Sequence, residues 1–237
     1  MKQQTKRAII FACLLSVFLG IKAQERLDIG IGGGSSFYMG DINENKLFYS
    51  PGIANGVFIK LNPDDRHALS LGINRGSVSA SAQDFIEEKP FLYDILAFHM
   101  KSPIWDIHVA GEVNFLPYNP MERNEKTFSP FVNIGIGMVF YNGFQRSSFS
   151  TMFGGGVKRK LTERLDMGVK WTFRKLFADN LEITGNGYDQ AEELLGENPS
   201  LFHNNDWVSF AGVYLSYNIS GLDTDCPAYD KNEKKRK

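Results

Sequence analysis

From Arg26 onward the chain alternates apolar and polar residues with a period of two, in eight separate stretches. "LDIGIGGGSSF" sets Leu27, Ile29 and Ile31 on one face and Asp28, Gly30, Gly32 and Gly34 on the other. "GIANGVFIKL" repeats this with Ile53, Val57, Ile59 and Leu61, and "HALSLGIN" with Leu69, Leu71 and Ile73. "IWDIHVAGEVNF" sets Trp105, Ile107, Val109, Val113 and Phe115 against Asp106, His108, Ala110, Glu112 and Asn114. "FVNIGIGMVF" gives Val132, Ile134, Ile136, Met138 and Phe140, and "SFSTMFGGGVKRKL" gives the weaker series Phe149, Phe153 and Val157. "RLDMGVKWTFRK" sets Leu165, Met167, Val169, Trp171 and Phe173 against Asp166, Gly168, Lys170, Thr172 and Arg174. "WVSFAGVYLSYNI" closes with Trp207, Ala211, Val213, Leu215, Tyr217 and Ile219. Such strands run to roughly 9–12 residues, near the about 9–11 that a tilted membrane strand needs. The one helical competitor is "DQAEELLGE", inside a loop.

The connections are unequal. They are tight at 62–65 and 162–163, longer in "PYNPMERNEKTF", and long at 38–51, 76–101 and 176–206. Short turns at one end and long loops at the other are the outer-membrane pattern. An even strand count brings the C-terminus back to the side of the N-terminus, the periplasm. Trp105, Trp171 and Trp207 then fall near the long-loop end, where amphipathic rings suit a membrane interface. The expectation is an all-β fold: an eight-stranded antiparallel up-and-down transmembrane β-barrel with short periplasmic turns, long extracellular loops and a C-terminal periplasmic tail. Alternation alone leaves a soluble secreted barrel of lipocalin type open, with its apolar face turned inward.

The N-terminus supports export. Lys2, Lys6 and Arg7 precede the apolar run Ala8–Gly20, and Ile21-Lys22-Ala23 ends it, so residues 1–23 read as a signal peptide cut before Gln24. An uncleaved anchor is the alternative. Removing 23 of 237 residues leaves 214, with the barrel at 24–219 and a tail at 220–237. Four basic residues leave with the leader, taking 26 basic and 27 acidic residues to 22 and 27. That acidic balance argues against nucleic acid as a partner.

An eight-stranded barrel has an interior just wide enough for side chains to fill. Its inward phase here is rich in glycine (Gly30, Gly32, Gly34, Gly56, Gly72, Gly135, Gly137, Gly154, Gly156, Gly168, Gly212). It also carries Lys60, Glu112, Lys158, Lys170 and Arg174. The glycines are expected to make room for the charged groups and to relieve strand coiling. The charges are expected to pair, notably Glu112 with Lys170 or Arg174, because a buried unpaired charge is expensive. The run "DIGIGGGSSFYMGD" is therefore barrel wall. As a dinucleotide loop it fails, since Ser35 stands where the third glycine belongs and no helical period follows.

No catalytic constellation, cofactor motif or metal-ligand spacing emerges from His67, His99, His108 and His203. Only His108 lies within a strand on the polar face, and a lumen hydrogen bond suits it better than lipid hydrolysis. The tail "SGLDTDCPAYDKNEKKRK" is more informative. Cys226 is the one cysteine left after leader removal, which suggests an intermolecular disulfide or a free thiol. Pro227 and Tyr229 beside it suit a docking segment, and Lys231, Lys234, Lys235, Arg236 and Lys237 make a basic end. The bland alternative is a solubilising tail.

The stretches "GGGSSFYMGDIN", "EVNFLPYNP", "FSPFVNIGIGMVFYN", "GGGVKRKLTERLDMGVKWTFRKLFADNLE", "NNDWVSFAGVYLSY" and "DCPAYD", in this order and spacing, resemble the PorG-type outer-membrane proteins of the type IX secretion system. The resemblance covers nearly the whole mature chain. It implies a non-enzymatic outer-membrane barrel that tethers a periplasmic ring, built from a PorK-type lipoprotein and a PorN-type partner, in an apparatus for protein export and, in some bacteria, gliding. It also makes the ring lipoprotein the expected disulfide partner of Cys226, with Pro227 and Tyr229 in the contact. Both termini are expected in the periplasm. Two other classes stay open: a small ligand-binding or channel-forming barrel, and a lipid-modifying barrel enzyme.

Overall fold

The structure is a computed structural model that describes residues 26–40, 42–43, 46–85, 87, 98–118, 128–178, 181 and 206–219. Eight strands account for most of these: β1 (Arg26–Met39), β2 (Gly52–Asn62), β3 (His67–Ser81), β4 (His99–Asn114), β5 (Phe128–Tyr141), β6 (Arg146–Lys160), β7 (Leu165–Leu176) and β8 (Trp207–Asn218). Each pairs antiparallel with its neighbours in sequence, and β1 pairs with β8, closing the barrel. Closure leaves no unpaired sheet edge.

The alternation takes one sense. Ile53 is 82% exposed, Ile134 72%, Ile31 61% and Val213 58%, while Asp28, Lys60, Asp106, Glu112, Lys158 and Arg174 are buried. An apolar exterior around a polar interior is the inverse of a soluble barrel, so the lipocalin alternative fails. The continuous outer band far exceeds the few hundred Å² of apolar patch that soluble monomers expose. The chain is a transmembrane barrel of the outer-membrane type.

The strands run further than the sequence pattern suggests. The connection expected at 76–101 is shortened at both ends, because β3 continues to Ser81 and β4 starts at His99, and the two added segments pair in register. Beyond Arg75 and Trp105 the alternation changes sense. Val78, Ala80, Met100 and Ile104 point inward and are buried, while Ser77, Ser79, Lys101 and Pro103 face out. Outside the bilayer the barrel wall meets water, and the apolar phase moves to the interior. These inward groups join Tyr38, Ile42, Phe85, Phe98 and Leu181 in an apolar core that fills the long-loop end.

One connection at that end is tight. Asn142, Gly143 and Phe144 all adopt positive φ (49°, 63° and 69°) between β5 and β6. That conformation is strained for an aromatic residue. It places the Phe144 ring 5.7 Å from Trp105 and 5.6 Å from Phe140. The other two tryptophans also join outward-facing ring clusters: Phe48 stacks on Trp171 at 5.3 Å, and Trp207 meets Phe153 edge-on at 5.9 Å. The expected signal peptide (1–23), the tail (220–237) with Cys226, Pro227 and Tyr229, and the helical stretch "DQAEELLGE" lie outside the described residues.

Candidate functional site in the barrel lumen

The lumen is packed in layers. At the short-turn end, Asp28 accepts hydrogen bonds from the amides of Asn62 (2.8 Å) and Asn218 (2.7 Å). Arg26 pairs with Asp65 at 2.8 Å. Tyr118, from the connection after β4, inserts its ring and donates to Asp166 at 2.7 Å, while its N–H donates to the Asp65 carbonyl. Burial, then the Asp166 carboxylate, push the Tyr118 phenol far above its usual value, so it stays a donor. This plug comes from a segment that the pattern marks only as a turn. Its sequence signal was the Tyr118 in "FLPYNP".

Above it lies an ionic cluster. Glu112 accepts from Lys60 (2.8 Å) and from Lys158 (2.7 Å). Neither expected partner, Lys170 or Arg174, forms an ion pair with it, although Lys170 lines the same small cavity. Glu112, Lys60 and Lys158 each lie two residues from the short-turn end of their strands, whereas Arg174 lies two residues from the long-loop end of β7. Strands advance about 3.3 Å per residue, so that offset is beyond side-chain reach. Arg174 instead sets its Nε 2.8 Å from Asp106 Oδ1, an ion pair angled outside hydrogen bonding, and donates to Thr172. Asp106 Oδ2 also meets His108 Nδ1 at 2.7 Å and accepts from Asn74 at 2.9 Å. His108 thus makes the lumen hydrogen bond expected of it. Ser70 lines the same small cavity, but its hydroxyl donates to the Ala110 carbonyl. Lys170 faces the rings of Phe58 (5.3 Å) and Tyr214 (5.9 Å), with no carboxylate within 4.0 Å among the described residues.

The glycines prove to make room for rings. A Cβ at Gly30 would fall in the Phe58 ring, at Gly72 on His108, at Gly156 on Phe131 and at Gly168 in the Tyr214 ring. Each glycine is the direct cross-strand partner of its ring. Gly34, Gly135, Gly154 and Gly212 instead face a neighbouring strand's backbone too closely for any Cβ, the crowding expected inside a narrow coiled barrel. Phe58, Phe131 and Tyr214 pack together around Lys60, whose Nζ lies 5.4 Å from the Tyr214 ring. These aromatic residues in the polar phase carry the layer that the pattern gave only to charges.

Little space remains. The cavities among Phe58, Lys170 and Phe210, around Ser70 and Asn133, and between Asp28 and Tyr118 leave about 50, 20 and 10 Å³ for water centres. At roughly 10–15 Å³ per water these hold a few waters. Among the described residues no group of His, Cys, Asp and Glu is arranged to hold a metal.

The profile of a family described as "Domain of unknown function (DUF6089)" matches residues 6–228. The chain belongs to this family. No curated protein matches it in sequence. Solved structures similar to this chain include surface protein A of Neisseria (NspA; 7% identity, TM-score 0.47, covering 81% of this chain and 96% of that one). The N-terminal barrel domain of Pseudomonas aeruginosa OprF is similar at 11% identity and TM-score 0.42, covering 82% and 99%. Ail of Yersinia pestis is similar at 9% and 0.40, covering 82% and 97%. Identities this low say nothing of activity or partners.

Proposed function

We propose that this barrel is a non-enzymatic outer-membrane component of the type IX protein secretion apparatus, anchoring a periplasmic ring of a PorK-type lipoprotein and a PorN-type partner. The long loops face outward and both termini face the periplasm. The observation that carries the reading is the filled lumen: a wall lined by paired charges and rings serves as an anchor better than as a pore. The stretches that resemble the PorG-type proteins build that lumen. "GGGSSFYMGDIN" supplies the β1 wall, "EVNFLPYNP" the Tyr118 plug, and "GGGVKRKLTERLDMGVKWTFRKLFADNLE" Lys158, Lys170 and Arg174. The ring contact is assigned to Cys226, Pro227 and Tyr229 of the tail, with a disulfide from Cys226 to the lipoprotein.

Affinity purification from native outer membranes tests this. The ring lipoprotein and its partner should co-purify, and a non-reducing gel should show a mixed-disulfide band at the summed mass that vanishes in Cys226→Ser. Recovery of the barrel without either ring protein would sink the secretion role. Recovery of the ring with a freely alkylatable Cys226 would remove the disulfide alone.

A further inference from the structure

The charges on the eight strands are segregated by sign. Every strand carboxylate (Asp28, Asp106, Glu112, Asp166) is buried in the lumen. Every Lys, Arg, His, Asp or Glu at an outward strand position is basic: His67, Arg75, His99, Lys101, Arg159 and Lys175. His67 pairs with Asp64 at 2.9 Å, but ion pairing does not explain the cations at the long-loop end, since Arg75, Lys101 and Lys175 meet no carboxylate within 4.0 Å among the described residues. Their placement is specific. Arg75 and Lys175 lie over tryptophan rings, 5.4 Å from Trp105 and 5.7 Å from Trp207. Arg75 follows the outward apolar series Leu69, Leu71 and Ile73, at the level where the outer wall turns from apolar to polar. Lys101, on the neighbouring strand, stands in the polar zone opposite Ser79.

The geometry points to a headgroup site on the outer wall of β3 and β4: Arg75, beside Trp105, and Lys101, about 13 Å further toward the long-loop end, hold the phosphates of an anionic lipid in the leaflet at that end. The apolar wall below takes the acyl chains, and the indole at the interface orients the guanidinium. A cation stacked on an interfacial ring keeps its stem on apolar surface and its charge at headgroup depth. Basic groups at that depth attract anionic lipid, and phosphates accept from an Arg fork or a Lys ammonium. The site depends on the membrane barrel alone, not on the secretion reading.

The test uses the full barrel purified in neutral detergent, offered bisphosphorylated lipid A or its dephosphorylated counterpart, with bound lipid counted by native mass spectrometry. The parent protein should retain the phosphorylated lipid and not the other. Arg75→Gln with Lys101→Gln should lower retention roughly thirtyfold. Arg75→Lys with Lys101→Arg should keep most of it, which separates charge from packing. His67→Gln with Arg159→Gln, at the other end, should change nothing. A shift in gel mobility on boiling verifies that each variant is folded. Equal retention of both lipids by the parent protein overturns the site, as does undiminished retention in the folded Gln pair. Displacement of the lipid by millimolar inorganic phosphate overturns the lipid as its occupant, since a free anion would then suffice.

Discussion

At the scale of residues, Glu112 binds the short-turn half of the lumen together. It is buried and bridges ammonium groups from β2 and β6, each two strands away. Removing one member of a buried ionic cluster strands the others in a low-dielectric interior. Glu112→Ala should therefore lower stability by about 3–5 kcal/mol. Lys170→Met, which loses ring contacts and a half-buried charge with no carboxylate within 4.0 Å among the described residues, should cost far less. Urea titration of the refolded barrel, read by gel mobility, compares the two, and equal midpoints would remove Glu112 from its central place. The sequence makes the inward phase of these side chains legible, because a period of two leaves one bit to decide. It does not make the partners legible. Pairing across a barrel depends on how far each strand is staggered, and Glu112 has basic residues of the right phase at several heights. The pairing of Phe58, His108, Phe131 and Tyr214 with glycines on neighbouring strands hides for the same reason: Gly30 and Phe58 meet only once the register is known.

At the scale of elements, the informative difference lies in β3 and β4. Their upper halves read as loop in the sequence because the outward residues there are Ser77, Ser79, Lys101 and Pro103. An alternation sought for lipid-facing apolar residues stops at Ile73. The strands continue with apolar groups inside, where Val78, Met100 and Ile104 pack under Phe85 and Phe98. Adjacent positions should thus respond in opposite ways. Met100→Asp would place an unpartnered carboxylate in a fully buried apolar core, at a cost of several kcal/mol unless it takes up a proton. Lys101→Gln, one residue on and exposed, should stay within about 0.5 kcal/mol of the parent. If both variants unfold at the parent's urea midpoint, the segment is a loop after all and the apolar core above the membrane does not exist.

At the scale of the whole molecule, two unlike seals close one tube. The short-turn end is polar, held by Tyr118, Asp166 and the Glu112 cluster, and the long-loop end is apolar. Tyr214 lines all three of the cavities described above, both the one beside Lys170 and Phe210 and the one beside Asp28. Truncating it widens those spaces without touching the apolar end. A continuous water path needs an opening through both ends, so loss of one barrier should not produce an ion current. In planar bilayers the parent protein should show no conductance steps, and Tyr214→Ala should remain silent although its barrel is less stable. Steps from the parent protein would contradict a filled lumen and favour a channel. Steps from Tyr214→Ala alone would show that the apolar cap leaks, leaving the aromatic layer as the barrier that closes the barrel.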